Sequence, residues 1–227
     1  MNPKKVAFVA GASGEIGKRL VQNLIAHNQI KEIHLLVRSK LELNHPCIHQ
    51  HLVDFADLSR LSIENTSDNE IISFCTLGTT IKKAGSKVNF SQVDLTYVEN
   101  FAKWAQKNNC KRLAVVSSID ANVDSKNFYL KTKGSMEASL KSLAWNALWI
   151  VRPSLLTGKR NEFRIGEALG ALAAKFITPL LLGPYKKYRP IHMQTVADAL
   201  SNFIDSDQDG THIIESDEIG MIATYHE

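Results

Sequence analysis

Tyr129 and Lys133 stand four residues apart in the segment Tyr-Leu-Lys-Thr-Lys, and Ser117-Ser118 closes the apolar run before it. On a helix, positions i and i+4 share a face, so the phenol and the ammonium would project together. A phenol ordinarily titrates near ~10 and is a poor acid or base at neutral pH. An ammonium beside it stabilises the phenolate. That would fit Tyr129 to pass a proton to or from a substrate oxygen while the Ser118 hydroxyl holds the same atom. A Tyr-x-x-x-Lys pair also arises by chance on amphipathic helices. What distinguishes this one is its place, at the start of a helix that follows a strand ending in two serines.

The second chemical signal is anion binding. Gly11-Ala-Ser-Gly14-Glu-Ile-Gly17 follows the apolar run Val6–Ala10 and opens a stretch with helical apolar spacing at Ile16, Leu20 and Leu24, flanked by Val21 and Ile25. Strand, glycine turn and helix N-terminus in that order form a cradle for a dinucleotide pyrophosphate. The glycines allow the tight turn, the backbone approach to phosphate and close helix–strand packing. A glycine-rich turn of another α/β protein is the plain alternative, and the flanking strand and helix argue against it. The next strand, Glu32–Val37, ends at Arg38-Ser39, where an NAD-specific chain would carry an acid for the ribose hydroxyls. A guanidinium suits a 2′-phosphate, so NADP is expected rather than NAD. Asp54 and Phe55 fit either the adenine edge of such a site or, for Asp54, the N-terminal cap of a helix near Asp57.

These groups need a frame, and the chain alternates strands with helices throughout. After the strands at 6–10 and 32–37, a third is expected around His51–Phe55 and a fourth at Ile71–Leu77, ending in Gly78-Thr-Thr80. A long helix follows, with Val93, Tyr97, Val98, Phe101, Trp104 and Ala105 on its inner face. Next come a strand at Arg112–Val116, a helix from about Tyr129 to Leu143, a strand at Ala147–Val151 and a last strand at His212–Ile214. The expected fold is a doubly wound parallel sheet with helices on both faces. It forms a single domain over 1–227, in which 155–210 contributes a substrate pocket or lid. Ligands should bind along the carboxyl edge of the strands.

Composition fits an enzyme with a small-molecule substrate. The 227 residues suffice for one well-buried domain, and the net charge of +4 is mild and interspersed, without a nucleic-acid footprint. Residues 165–183 are apolar but interrupted by Glu167, Lys175 and Pro179, so a packed helix or lid is expected there rather than a membrane span. The apolar run at the N-terminus is short and enters the glycine turn directly, unlike a signal peptide. Cys47, Cys75 and Cys110 lack ligand-like spacing and read as reduced thiols, which suggests a cytoplasmic protein. His45, Cys47, His49 and His51 alternate, but they lack the fourth ligand and tight frame of a metal centre, so no metal is expected. His192 precedes the run Val196, Leu200, Phe203 and reads as a helix-start residue beside the pocket region. The three tryptophans read as packing residues. Either a monomer or a homodimer fits.

The chain resembles the short-chain dehydrogenase/reductase superfamily, in its atypical branch with the G-x-x-G-x-x-G turn, and within it the Tat-interacting-protein-like oxidoreductases. The matching segments are residues 11–17, Val53-Asp-Phe55, Phe74–Thr80, Lys83-Ala-Gly85, Val93-Asp94, Ser117-Ser118, Asn127–Gly134 and Arg152-Pro153. The resemblance implies that Gly11, Ser13, Gly14, Glu15, Ile16 and Arg38 line the cofactor phosphates and ribose. It implies that Asp54 and Phe55 flank adenine, and that Thr76, Leu77 and Gly78 lie under the nicotinamide ribose. Tyr129, Lys133, Arg152, Pro153, Ser154 and Leu155 would surround the nicotinamide end. The spacing from serine to tyrosine is slightly shorter than in standard members, so Ser117 competes with Ser118 for the catalytic position, and Ser118 is taken. The implied activity is NADP-dependent oxidoreduction of a carbonyl or alcohol, with epimerase or dehydratase chemistry on a nucleotide-sugar-like substrate as a variant. An NADPH-binding regulatory protein acting through protein partners is the alternative.

Overall fold

The computed structural model describes residues 4–63, 69–158 and 181–224. In chain order the elements are β1 (Lys5–Ala10), α1 (Glu15–Ala26), β2 (Ile30–Val37), β3 (Ile48–Leu52) and β4 (Glu70–Cys75). Then come α2 (Ile81–Ala84), α3 (Lys87–Ser91), a π turn (Gln92–Thr96), α4 (Tyr97–Lys107), β5 (Arg112–Val116), α5 (Phe128–Lys141) and β6 (Ala147–Arg152). The chain continues through β7 (Leu156–Thr157), a 3₁₀ turn (Gly183–Tyr188), β8 (Ile191–His192), α6 (Met193–Ser201), β9 (Gly210–Glu215) and α7 (Ser216–Ala223).

Seven strands form one sheet in the order β3-β2-β1-β4-β5-β6-β9, and every pair is parallel. Strand order reverses between β1 and β4, the switch point at which doubly wound sheets open a crevice. All six residues of β1 are buried, as a central strand covered on both faces requires. Alternation along the strands divides the core in two. Ala7, Val9, Leu35 and Phe74 face α1 and α6 through Leu20, Leu24, Val196 and Leu200. Val6, Phe8, Val115 and Ile150 face α4 and α5 through Phe101, Trp104, Met136 and Leu140. Trp104 and Trp149 are buried packing residues, as the sequence suggests.

Several elements differ from the sequence reading. The third strand occupies Ile48–Leu52, three residues before its expected position. Asp54 starts a turn there, accepting from the Ala56 and Asp57 N–H groups, so pairing stops at Leu52. The expected long helix is three pieces, α3, the π turn and α4. A small parallel pair, β7–β8, and the terminal helix α7 were not foreseen. Of the expected lid, residues 159–180 lie outside those described, and with them most of the apolar stretch 165–183. Among the described residues, no helix is long and apolar enough to cross a membrane.

Candidate functional site

The glycine turn connects β1 to α1 at the switch point. Gly11 has φ +92°, and a Cβ there would lie 2.5 Å from the Thr76 carbonyl carbon. A Cβ at Gly17 would sit 2.2 Å from the Gly11 carbonyl oxygen, so the turn and the helix touch backbone to backbone. Gly14 stands at the N-cap of α1, where among the described residues no side chain caps the first-turn N–H groups. A twelve-residue helix therefore presents its positive end, uncapped by protein, to the crevice. This is the donor set that a pyrophosphate needs, and a dinucleotide fits it.

A cleft of about 780 Å³ opens there along the carboxyl edge of the sheet. Ser13, Gly14, Glu15 and Ile16 line one wall. Thr76, Leu77 and Gly78 line its floor, and Ser118, Tyr129, Lys133, Pro153 and Ser154 line the far wall. The site residues expected from the sequence thus converge, with some exceptions. Gly11, the first residue of the turn, packs against Thr76 and is not among the cleft-lining residues. Arg38 and Ser39 are exposed beyond β2, outside the cleft lining. Asp54 is exposed outside the cleft lining and holds a turn rather than capping a helix, since residues 53–63 form none, and Phe55 is buried against Tyr97, their ring centroids 6.0 Å apart. Leu155 points outward, 46 % exposed, and Leu156 lines the cleft in its place. Arg152 is absent from the lining because Glu137 and Glu215 claim its guanidinium from two sides.

Local structure explains how the far wall is built. The Asn127 side chain accepts from the Tyr129 and Leu130 N–H groups at 2.9 and 3.2 Å, which starts α5 and puts Tyr129 in its first turn. Gly134 lets the helix press on the loop before it, since a Cβ there would be 2.2 Å from the Asn122 carbonyl carbon. Lys133, one residue earlier, is thereby driven inward and is only 4 % exposed. The Tyr129 ring is half-buried and tilts against Phe90, centroids 5.6 Å apart.

The two serines differ. The Ser117 hydroxyl donates to Glu137 Oε1 at 2.6 Å, whereas the Ser118 hydroxyl has no hydrogen-bond partner among the described residues. The sequence reading gave no role to Asp94, which lines the cleft from the π turn and pairs with Lys133 at 2.8 Å. Burial pushes the Lys133 pKa down, but the Asp94 carboxylate, together with Tyr129 and Cys75, outweighs it and leaves the ammonium above its ordinary value. His192 caps α6, its Nδ1 accepting from the Gln194 N–H at 3.1 Å.

Comparison with known proteins agrees with this geometry. A family model described as NAD(P)H-binding matches residues 11–177. The protein HTATIP2 of Rattus norvegicus is 35 % identical over 179 residues, covering 78 % of this chain and 72 % of that one. The protein FMP52, mitochondrial, of Candida albicans is 32 % identical over 157 residues, covering 68 % and 69 %. Among solved structures, human epimerase family protein SDR39U1 with NADPH superposes with a TM-score of 0.61 at 17 % identity, covering 92 % of this chain and 73 % of that one. The Bordetella bronchiseptica enzyme WbmG in complex with NAD gives 0.67 at 14 % identity, covering 94 % and 73 %. The two structures share the fold, and the sequence matches carry the kinship: this chain belongs to the NAD(P)H-binding family.

Proposed function

We propose that the protein is an NADP-linked oxidoreductase acting on a carbonyl or alcohol, including the carbinol carbons of nucleotide-sugar-like substrates. What supports the reading is that Tyr129, Lys133 and the unpartnered Ser118 hydroxyl meet on one wall of a cleft whose other wall is the uncapped start of α1. A bound nicotinamide would supply or accept the hydride. The protein's part is to hold the substrate oxygen between the Ser118 and Tyr129 hydroxyls. Tyr129 gives that oxygen its proton in reduction and takes it back in oxidation, while the Lys133 ammonium stabilises the phenolate left behind. Ser117, committed to Glu137, leaves Ser118 for this role. Exposed Arg38, without an ion-pair partner among the described residues, supports a 2′-phosphate and hence NADP.

The test is turnover on a broad carbonyl panel with NADPH, followed by Tyr129→Phe, which keeps the ring against Phe90 and removes the proton. Turnover should fall by about 10²–10⁴ with NADPH affinity little changed. A variant as active as its parent overturns the assignment. So does tight NADPH binding with no turnover on any substrate, which would favour the regulatory alternative.

A further inference from the structure

Asp94 is 1 % exposed, and both of its carboxylate oxygens are engaged across element boundaries. Oδ2 accepts from the Thr79 N–H at 2.8 Å, and Oδ1 lies 2.8 Å from Lys133 Nζ. The second contact is an ion pair without the alignment of a hydrogen bond. Among the described residues Nζ has no other polar partner, so its donors remain available to the cleft. Gly78 lies beside the pair: a Cβ there would be 3.5 Å from Oδ1 and 3.9 Å from Nζ, and its absence keeps the pair open to the cleft. The carboxylate is carried by the π turn, an irregularity found mostly at functional sites because it re-aims a side chain at a cost to the helix.

We propose that Asp94 is the positioning residue of this site: its carboxylate holds the Lys133 ammonium at the far wall of the cleft and ties it to the Thr79 loop. The proposal rests on the role given above to Lys133. A lysine on a flexible four-carbon stem, buried without a counter-charge, would be poorly placed and would lose its proton. The groups facing Lys133 are Asp94 from the π turn, Tyr129 from α5 and Cys75 from the end of β4. Burial pushes the Cys75 thiol up to about 12, so it stays neutral and Asp94 is the one carboxylate among them. Burial drags the Lys133 ammonium towards deprotonation, and Asp94 is the largest influence against it.

Asp94→Asn separates charge from shape, because an amide oxygen can still accept from the Thr79 N–H. With the charge gone, desolvation prevails and Lys133 should become neutral at lower pH. In cofactor-free protein carrying ¹³C-labelled lysine, the Lys133 Cε titration should move down by at least about one pH unit relative to the parent. The alkaline limb of the kcat profile should move down with it, so that activity lost at neutral pH partly returns on acidification. A purely structural ion pair would lower stability and move the Lys133 titration but leave the alkaline limb of the kcat profile in place. An unmoved Lys133 titration in folded Asp94→Asn overturns the proposal. Asp94→Glu covers the case in which the Asn variant fails to fold. It keeps the charge on a longer stem, so a fall in kcat of about tenfold or more with Lys133 titrating as in the parent supports positioning, and parental kcat overturns it. The lysine titration needs no substrate. A silent Tyr129→Phe would therefore sink the oxidoreductase reading while leaving this result standing, and the reverse also holds.

Discussion

Two buried charge arrangements lie at the same edge of the sheet, and they are built differently. Around Arg152, nearly every donor and acceptor is spent. Its Nε and one terminal nitrogen grip Glu137 at 2.9 and 2.6 Å, its other terminal nitrogen reaches Glu215 at 2.9 Å, and Ser117 fills the remaining lone pair of Glu137 Oε1. This bracket joins the ends of β5, β6 and β9 to α5; Glu215 Oε2 is its one buried oxygen without a hydrogen-bond partner among the described residues, and a network so nearly satisfied rigidifies. Around Lys133 there is one ion pair, one backbone donor and an ammonium otherwise without partners among the described residues, beside open cleft. The contrast teaches how to tell a structural charge from a working one: the structural charge has its hydrogen bonds inside the protein, and the working one keeps donors in reserve for a ligand.

The contrast can be broken by removing one cation from each arrangement. Arg152→Met leaves the Glu137 carboxylate, 2 % exposed, without its main partner, and a broken buried pair typically costs about 3–5 kcal/mol. Urea denaturation should show a loss of that size. A loss under about 1 kcal/mol would mean the bracket is not structural. Lys133→Met leaves Asp94, 1 % exposed, without its cation and should cost stability too, but beyond that it should register in function, with NADPH affinity and turnover both falling, because the ammonium would also donate to the nicotinamide ribose. If Lys133→Met binds NADPH like its parent, the reserve donors are not meant for the cofactor.

A second test sharpens the other wall of the cleft. Gly14 has ordinary backbone angles, φ −76° and ψ 165°, and a Cβ there would meet only the Gly11 carbonyl oxygen, at 3.3 Å. Gly14→Val should therefore fold, with an unchanged far-ultraviolet circular dichroism spectrum, while its side chain occupies the space of the pyrophosphate. Binding weaker by roughly two decades, about 2.7 kcal/mol, is expected in titration with NADPH. Normal binding would reduce the glycine turn to a structural feature.

What could be read from the sequence was local. The glycine turn, its helix, and the Tyr129/Lys133 pair on one helix are each written within a few residues, and the parallel strands appear as apolar runs. The Asp94–Lys133 pair is not local, because it joins a π turn to a separate helix, and no period or spacing marks it. The Arg152 guanidinium was expected in the cleft for the same reason: the carboxylates that turn it away come from α5 and the end of β9. The third strand was misplaced because β3 is a half-buried edge strand with His49 and His51 on it, weaker in apolar signal than Val53-Asp-Phe55 beyond. Helix α7 did leave a trace. Glu215 and Glu218 cap it reciprocally, but a glutamate at the N-cap lies outside the usual Ser/Thr form of that signal.

The smallest expected effect lies beyond the cleft lining, at the end of β2, where an exposed charge takes the place of a buried one. Register pairs Ala10 with Leu36, so the glycine turn and Arg38-Ser39 leave the sheet side by side at its carboxyl edge. The Val53 N–H bonds the Val37 carbonyl at 2.9 Å and closes that corner from the β3 side. A 2′-phosphate in this corner would meet a guanidinium and no carboxylate at the strand end. Losing a charge-assisted contact typically costs about 1.5–3 kcal/mol. Solvent and salt screen an exposed partner, so Arg38→Ala should weaken NADPH by about tenfold, at the low end of that range. NADH affinity should hardly change, and the difference between parent and variant should shrink as ionic strength rises. Calorimetric titration of both nucleotides at low and high salt reads all three quantities. Equal affinity of the parent for NADPH and NADH would overturn the proposed NADP preference and the part given to Arg38 in it.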